Sequence, residues 1–169
     1  MPPPPHWPLT AACSLQPELW DWLDVEDLWP AASPLEARFL RAPSASTQDQ
    51  IAYTWGAEHV WVWAWVLQLT DDSLLPMAQA SCGSVLEHMP APGESTRGFL
   101  RQVSARSAEQ VADAAEAMFH AHASCRRAQR EGQAERHGYD LEVARERHRA
   151  LNWSIGYGGA SWDEVTTDT

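Results

Sequence analysis

The chain has 169 residues, a length that suits one domain and can bury a core without disulfides or metals. Its formal net charge is −11, with 12 arginines and no lysine against 23 acids, which disfavours phosphate backbones and anionic membrane surfaces as partners. Three scattered cysteines, Cys13, Cys82 and Cys125, form no CxxC arrangement and suit free thiols in a reducing cytoplasm.

The charge is lopsided. Through Glu94 there are 12 acids against two bases, Arg38 and Arg41, giving −10; from Ser95 onward 11 acids meet 10 arginines, giving −1. The 10 tryptophans each bring a large ring and an N–H that needs a partner, so most are expected in the core.

Residues 1–16 hold the prolines Pro2 to Pro5 and Pro8 and are expected to be a disordered Pro-rich tail. They lack the positive n-region and apolar h-region of a signal peptide. A single helical domain is expected over 17–169. From Pro17 to Trp29, Leu19, Trp20, Leu23, Leu28 and Trp29 recur at helical spacing, with Asp21, Asp24, Glu26 and Asp27 mostly opposite. Pro30 should stop that helix. A short helix from Pro34 to Leu40 follows, with proline in its first turn and Pro43 closing it.

Ser44 to Thr47 offer N-caps for the densest apolar stretch, Gln48 to Leu69. Val60-Trp61-Val62-Trp63-Ala64-Trp65-Val66 alone would suit a buried strand. The whole segment is too long for one strand, so a buried central helix, apolar all round, is predicted. Its longest apolar run, Val60 to Leu67, falls far short of the roughly 20 residues that span a bilayer.

Residues 70–98 read as a connector with turns at Thr70 to Ser73 and Pro90 to Gly93 and a short helix around Ala78 to His88. Ser107 to Gln110 is a capping box opening a long helix, with the stripe Val111, Ala114, Ala115, Met118, Ala121 and Cys125, bordered by His122. Gly132 should end it. Asp140 caps the last helix, where Leu141, Ala144, His148, Leu151 and Ile155 share a face, and Gly156, Gly158 and Gly159 end it. In the tail, Trp162 and Val165 are expected to be buried, while Asp163, Glu164 and Asp168 bond Arg145, Arg147 or Arg149. The fold class expected is mainly α: a single-domain helical bundle with a buried Trp-rich central helix and two long C-terminal helices.

The ending Glu146-Arg147-His148-Arg149-Ala150-Leu151-Asn152-Trp153, then Trp162-Asp163-Glu164-Val165-Thr166-Thr167-Asp168-Thr169, resembles the close of bacterial proteins grouped as domain-of-unknown-function family 4272. Those proteins end in an ERH-x-ALNWL segment, a short loop and WDDVxTDT. The stretches Trp55 to Ala64 and Phe119 to Arg126 are similar to two further segments of that family. His120, Ala123 and Ser154 stand where the family usually has Arg, Trp and Leu. The resemblance spans roughly residues 19–169 and implies a helical fold and a bacterial origin, but no activity.

Chemical motifs are sparse. His120 and His122 point apart on a helix. Glu116 with His120, and His122 with Cys125, share faces but reach no HExxH, ExxH or CxxC pattern, so no metal is expected. There is no GxSxG, phosphate-cradling glycine loop or paired-carboxylate motif, so no catalytic residue and no cofactor is assigned. His148, inside the family-like segment, is read as a core histidine with one nitrogen bonded to a neighbour.

The functional expectation is a non-catalytic acidic binding protein of the cytoplasm. In its sharper form it is a bacterial immunity protein that neutralises a toxin or effector by occluding its basic site. The contacts would be Asp21, Asp24, Glu26, Asp27, Asp71 and Asp72, with Trp20 and Trp22 as anchors. The alternative is a small-ligand-binding protein or enzyme with a site around His148, drawing on Glu58, His59, His122, Arg126 and Glu146.

Overall fold

In the computed structural model, residues 16–42, 44, 46–81 and 83–169 are described. The expected Pro-rich tail, apart from Gln16, lies outside the described residues, as do Cys13 and Cys82. Among the described residues there are helices and no strands, so the chain has the mainly α fold expected.

Helix α1 spans Gln16–Val25. It ends before Pro30: Asp27 takes a left-handed conformation, φ 53°, and Leu28 N–H bonds back to Leu23 O at 2.8 Å. That is a Schellman ending without glycine. Pro30 sits instead inside a single 3₁₀ turn, Trp29–Ala31. Helix α2, Pro34–Arg41, opens with a reciprocal box between Ser33 and Glu36.

The single helix expected over Gln48 to Leu69 is two, α3 (Thr47–Thr54) and α4 (Gly56–Val66). The break falls at Trp55, just before Gly56, whose missing side chain makes it a poor helix interior residue. Helix α4 ends in a second Schellman turn, with Gln68 at φ 57° and Leu69 N–H bonded to Ala64 O at 2.8 Å. In the connector, α5 is one turn, Gly83–Leu86, and a helix not expected from the sequence, α6, spans Thr96–Gln102.

The two C-terminal helices follow the sequence reading. Helix α7, Ala108–Glu131, opens on the Ser107–Gln110 capping box and ends at Gly132 with φ 63°. Helix α8, Leu141–Ser154, starts under Asp140, whose carboxylate accepts from Glu142 N–H and Val143 N–H. Helix α8 packs along α7 on one side and against α4 on the other. The core between them holds Val62 of α4, Val111, Ala115, Met118, Ala121 and Cys125 of α7, and Ala144, Ala150 and Leu151 of α8. Ile155, expected on the same stripe, is exposed.

The core between α4, α7 and α8 is made of small and aliphatic side chains, with Trp63 and Trp65 packed against it and Trp61 buried in a second, smaller cluster. Trp61 is buried against Leu69, Leu74, Ala80 and Met89, whereas Trp63 and Trp65 are half-buried and Trp153 is 43% exposed. With Val62 of α4 packed in one cluster with Ala144 and Ala150 of α8, there is little room for indole rings between the two helices, and Trp63 and Trp65 pack at the edge of that cluster.

Candidate functional site

Three consecutive residues of α8 turn in three directions, because successive helix residues are about 100° apart. Glu146, Arg147 and His148 each meet a partner on another helix. Arg147 Nε donates to Glu58 Oε2 at 2.8 Å, with side chains 3% and 2% exposed. Its other nitrogens donate to the carbonyls of Leu74, Leu75 and Ala78, while Ala80 N–H donates to Glu58 Oε1 at 2.7 Å. Glu146 Oε2 lies 2.8 Å from His59 Nε2, and its Oε1 accepts from Arg145 Nε and Nη2. His148 Nδ1 lies 3.1 Å from His122 Nδ1.

Burial alone would raise the Glu146 carboxyl, but the hydrogen bonds from His59 and Arg145, with their charges, hold it below its ordinary value. The two core histidines go the other way. Burial makes His148 hard to protonate, lowering it to about 4, and His122 beside it adds to the effect. His122 is lowered by burial, then by the charges of Arg126 and Arg145. Arg126 is thus a half-buried neighbour of the seam.

Five members of the alternative site set are therefore held in buried pairs, Glu58 with Arg147, His59 with Glu146 and His122 with His148, and Arg126 stands beside the last. Two clefts lie elsewhere. One, about 130 Å³, is lined by Trp65, Leu74, Leu75, Ala114 and Met118; the other, about 340 Å³, by Gln68, His88, Phe99 and Gln102. Among the described residues no group of three or more His, Cys, Asp or Glu side chains could hold a metal. Arg147 is the member that sequence reasoning missed. Its spacing, three after Ala144 and four before Leu151, places it on the apolar stripe and was the available signal.

The acidic set is divided. Trp20 Nε1 donates to Leu40 O and Trp22 Nε1 to Glu94 O, both at 2.6 Å, and Glu26 accepts from Thr96 N–H and Oγ1, tying α1 to the start of α6. These three are engaged within the chain. Asp21, Asp24, Asp27 and Asp72 are exposed, and Asp71 is exposed while pairing with Arg106.

The tail is pinned, by contacts other than those expected. Val165 is buried and Trp162 half-buried. Asp163 accepts from Ser33 Oγ and Leu35 N–H, Glu164 from Ser161 Oγ, and Asp168 from Thr166 Oγ1. Arg149 lies over the Trp162 ring at 4.4 Å and donates to its carbonyl. The arginines of α8 thus find Glu58, Glu142, Glu146 and a ring, and the tail acids cap other turns. Trp162 meets His59, Trp63 and Trp153 edge to face, at 4.8, 5.0 and 5.9 Å.

A family model for a domain of unknown function, DUF4272, matches residues 12–165. The chain belongs to the DUF4272 family. No curated protein and no solved structure matches it. The stretch that carries the DUF4272 resemblance, Glu146 to Trp153, is the same stretch of α8 that holds the buried pairs. Of the three departures from the family pattern, His120 is exposed beside Glu116, and Ala123 and Ser154 are half-buried. No helix is long and apolar enough to cross a membrane among the described residues.

Proposed function

We propose that this DUF4272 protein is a non-catalytic, acidic binding protein of the cytoplasm whose partner is a basic protein domain. In the sharper form of this reading, the partner is a toxin or effector, and the chain is an immunity protein that occludes its positively charged cleft. One observation carries the reading: Asp21, Asp24 and Asp27 stand in solvent around Val25, itself 80% exposed, while the neighbouring Trp20, Trp22 and Glu26 are spent inside. Free carboxylates around an apolar residue suit a basic surface, and the −10 carried through Glu94 would speed the encounter by long-range attraction. The buried charges of α8 are matched by neighbours, Arg147 by Glu58 of α4 and Glu146 by Arg145 and His59, so this proposal needs no chemistry of them.

The test is co-expression with the product of the adjacent gene, followed by capture and growth rescue. The triple variant Asp21→Arg, Asp24→Arg, Asp27→Arg should keep its helical circular dichroism and lose both. Capture and rescue undiminished in that variant would sink the assignment of this face.

The alternative, a small-ligand site or enzyme near His148, is favoured by one feature, the His59–Glu146 pair: a carboxylate-held imidazole is the usual means of moving a proton. Screening nucleotides and small metabolites by thermal shift tests it. A ligand-induced rise in Tm that disappears in His59→Gln would favour this alternative over the first reading.

A further inference from the structure

We infer that His122 and His148 form an acid-sensitive latch between α7 and α8, closed by one proton held between their two Nδ1 atoms. The rings are 1% and 2% exposed, and their Nδ1 atoms are 3.1 Å apart. At that distance one nitrogen must donate and the other accept, so the two imidazoles hold opposite tautomers.

Their surroundings decide which is which. Among the described residues, His122 Nε2 is buried without a hydrogen-bond partner. A bare lone pair there costs less than an orphaned N–H, which places the His122 proton on Nδ1 and makes it the donor. His148 then accepts at Nδ1 and carries its own proton on Nε2. Asn152 lies one helical turn further along the same face of α8, and its amide nitrogen is committed to Thr166 O at 2.9 Å, so its oxygen is the end of the side chain left to accept.

A further proton has no good place to go. On His122 Nε2 it would be buried without an acceptor and would face the like charges of Arg126 on α7 and Arg145 on α8, with only Glu146 opposing them. On His148 Nδ1 it would set two N–H groups against each other, with Asp168 of the tail as the one favourable charge. Glu58 and His59 of α4 are already paired with Arg147 and Glu146. Phe119 closes the remaining side, its ring 5.8 Å from that of His148.

The linkage has a definite sign. Both histidines are lowered in the folded chain from the ordinary 6.5, His148 to about 4. The unfolded chain therefore binds more protons between those values. The latch contributes fully above pH 6.5, and its contribution is lost as pH falls through the folded values.

Two measurements on the full chain test this. In long-range ¹H–¹⁵N imidazole spectra, His122 should be the Nδ1–H tautomer and His148 the Nε2–H tautomer, and neither should protonate near pH 6.5. Two Nε2–H rings, or either ring titrating near 6.5, would overturn the proposal. In urea unfolding between pH 6.5 and 5, the unfolding constant should rise more steeply than in the variant His122→Asn, His148→Asn, by about tenfold per pH unit for each protonation excluded. Parallel curves would overturn it as well. If the variant does not fold, the tautomers of the unaltered protein decide the question alone.

Discussion

Arg147 and Glu58 meet at 2.8 Å across the α8–α4 interface, and the same guanidinium gathers the carbonyls of Leu74, Leu75 and Ala78. The ion pair is therefore also the anchor of the connector. Removing one partner leaves a buried charge unmatched, at a cost of about 3–5 kcal/mol. Arg147→Met should lower stability by that order in urea unfolding and should speed hydrogen exchange at the Ala80 amide, which bonds Glu58. An unchanged Ala80 exchange rate would show that the connector is held by something else.

The His59–Glu146 contact makes a separate prediction at lower pH. The Glu146 carboxyl is held below 4.5 by His59 and Arg145 against the opposing effect of burial. A carboxylate lowered in the folded chain stabilises it above the unfolded value, and that stability is lost as pH falls through the folded one. Glu146→Gln should therefore flatten the acid limb of the stability curve below about pH 4.5 while leaving the slope from pH 6.5 to 5 to the two core histidines. A limb as steep as in the unaltered protein would show that other carboxylates dominate acid unfolding.

Asp163 caps α2 from 128 residues away, accepting from Leu35 N–H and Ser33 Oγ. Asp163→Ala should cost about 1 kcal/mol, the usual size of a lost helix cap. Limited proteolysis should then cut the tail beyond Ser161 sooner. Trp162→Ala, which takes the indole out of the cluster with His59, Trp63 and Trp153 and from under Arg149, should loosen the same segment further. A tail equally resistant in both variants would mean that Val165 alone holds it.

Cys125 is 3% exposed, its Sγ facing Tyr139 O, and burial, aided by Glu135 and Asp140, pushes the thiol up to about 11. Only the thiolate reacts, so alkylation at pH 8 should leave residue 125 unmodified in the folded chain and complete in urea, as read by peptide mass spectrometry. Rapid modification of the folded protein at that residue would show that the α7 core opens readily.

What the sequence could show was whatever is settled within a few residues. The Ser107–Gln110 box, the Asp140 cap, the Gly132 stop and the stripes of α7 and α8 are local hydrogen bonds and local periodicity, and each, apart from the exposed Ile155, is where it was expected. The ends of α1 and α4 were not legible, because Asp27 and Gln68 adopt φ values normally left to glycine, in turns closed by Leu28 N–H on Leu23 O and Leu69 N–H on Ala64 O. The break at Trp55 and the helix α6, held by Glu26 from 70 residues away, belong to the same class.

From the sequence alone, then, came the helical class, the two long helices and the net charge. Which charges stay in water was decided by the tertiary structure. Glu58 and Arg147 are 89 residues apart in the chain, and nothing in either neighbourhood names the other. A buried charge must find a partner wherever two helix faces close, and the closing of α4 on α8 determined that Arg147 would neutralise Glu58, while Asp21, Asp24 and Asp27, in and just beyond α1, stay in solvent.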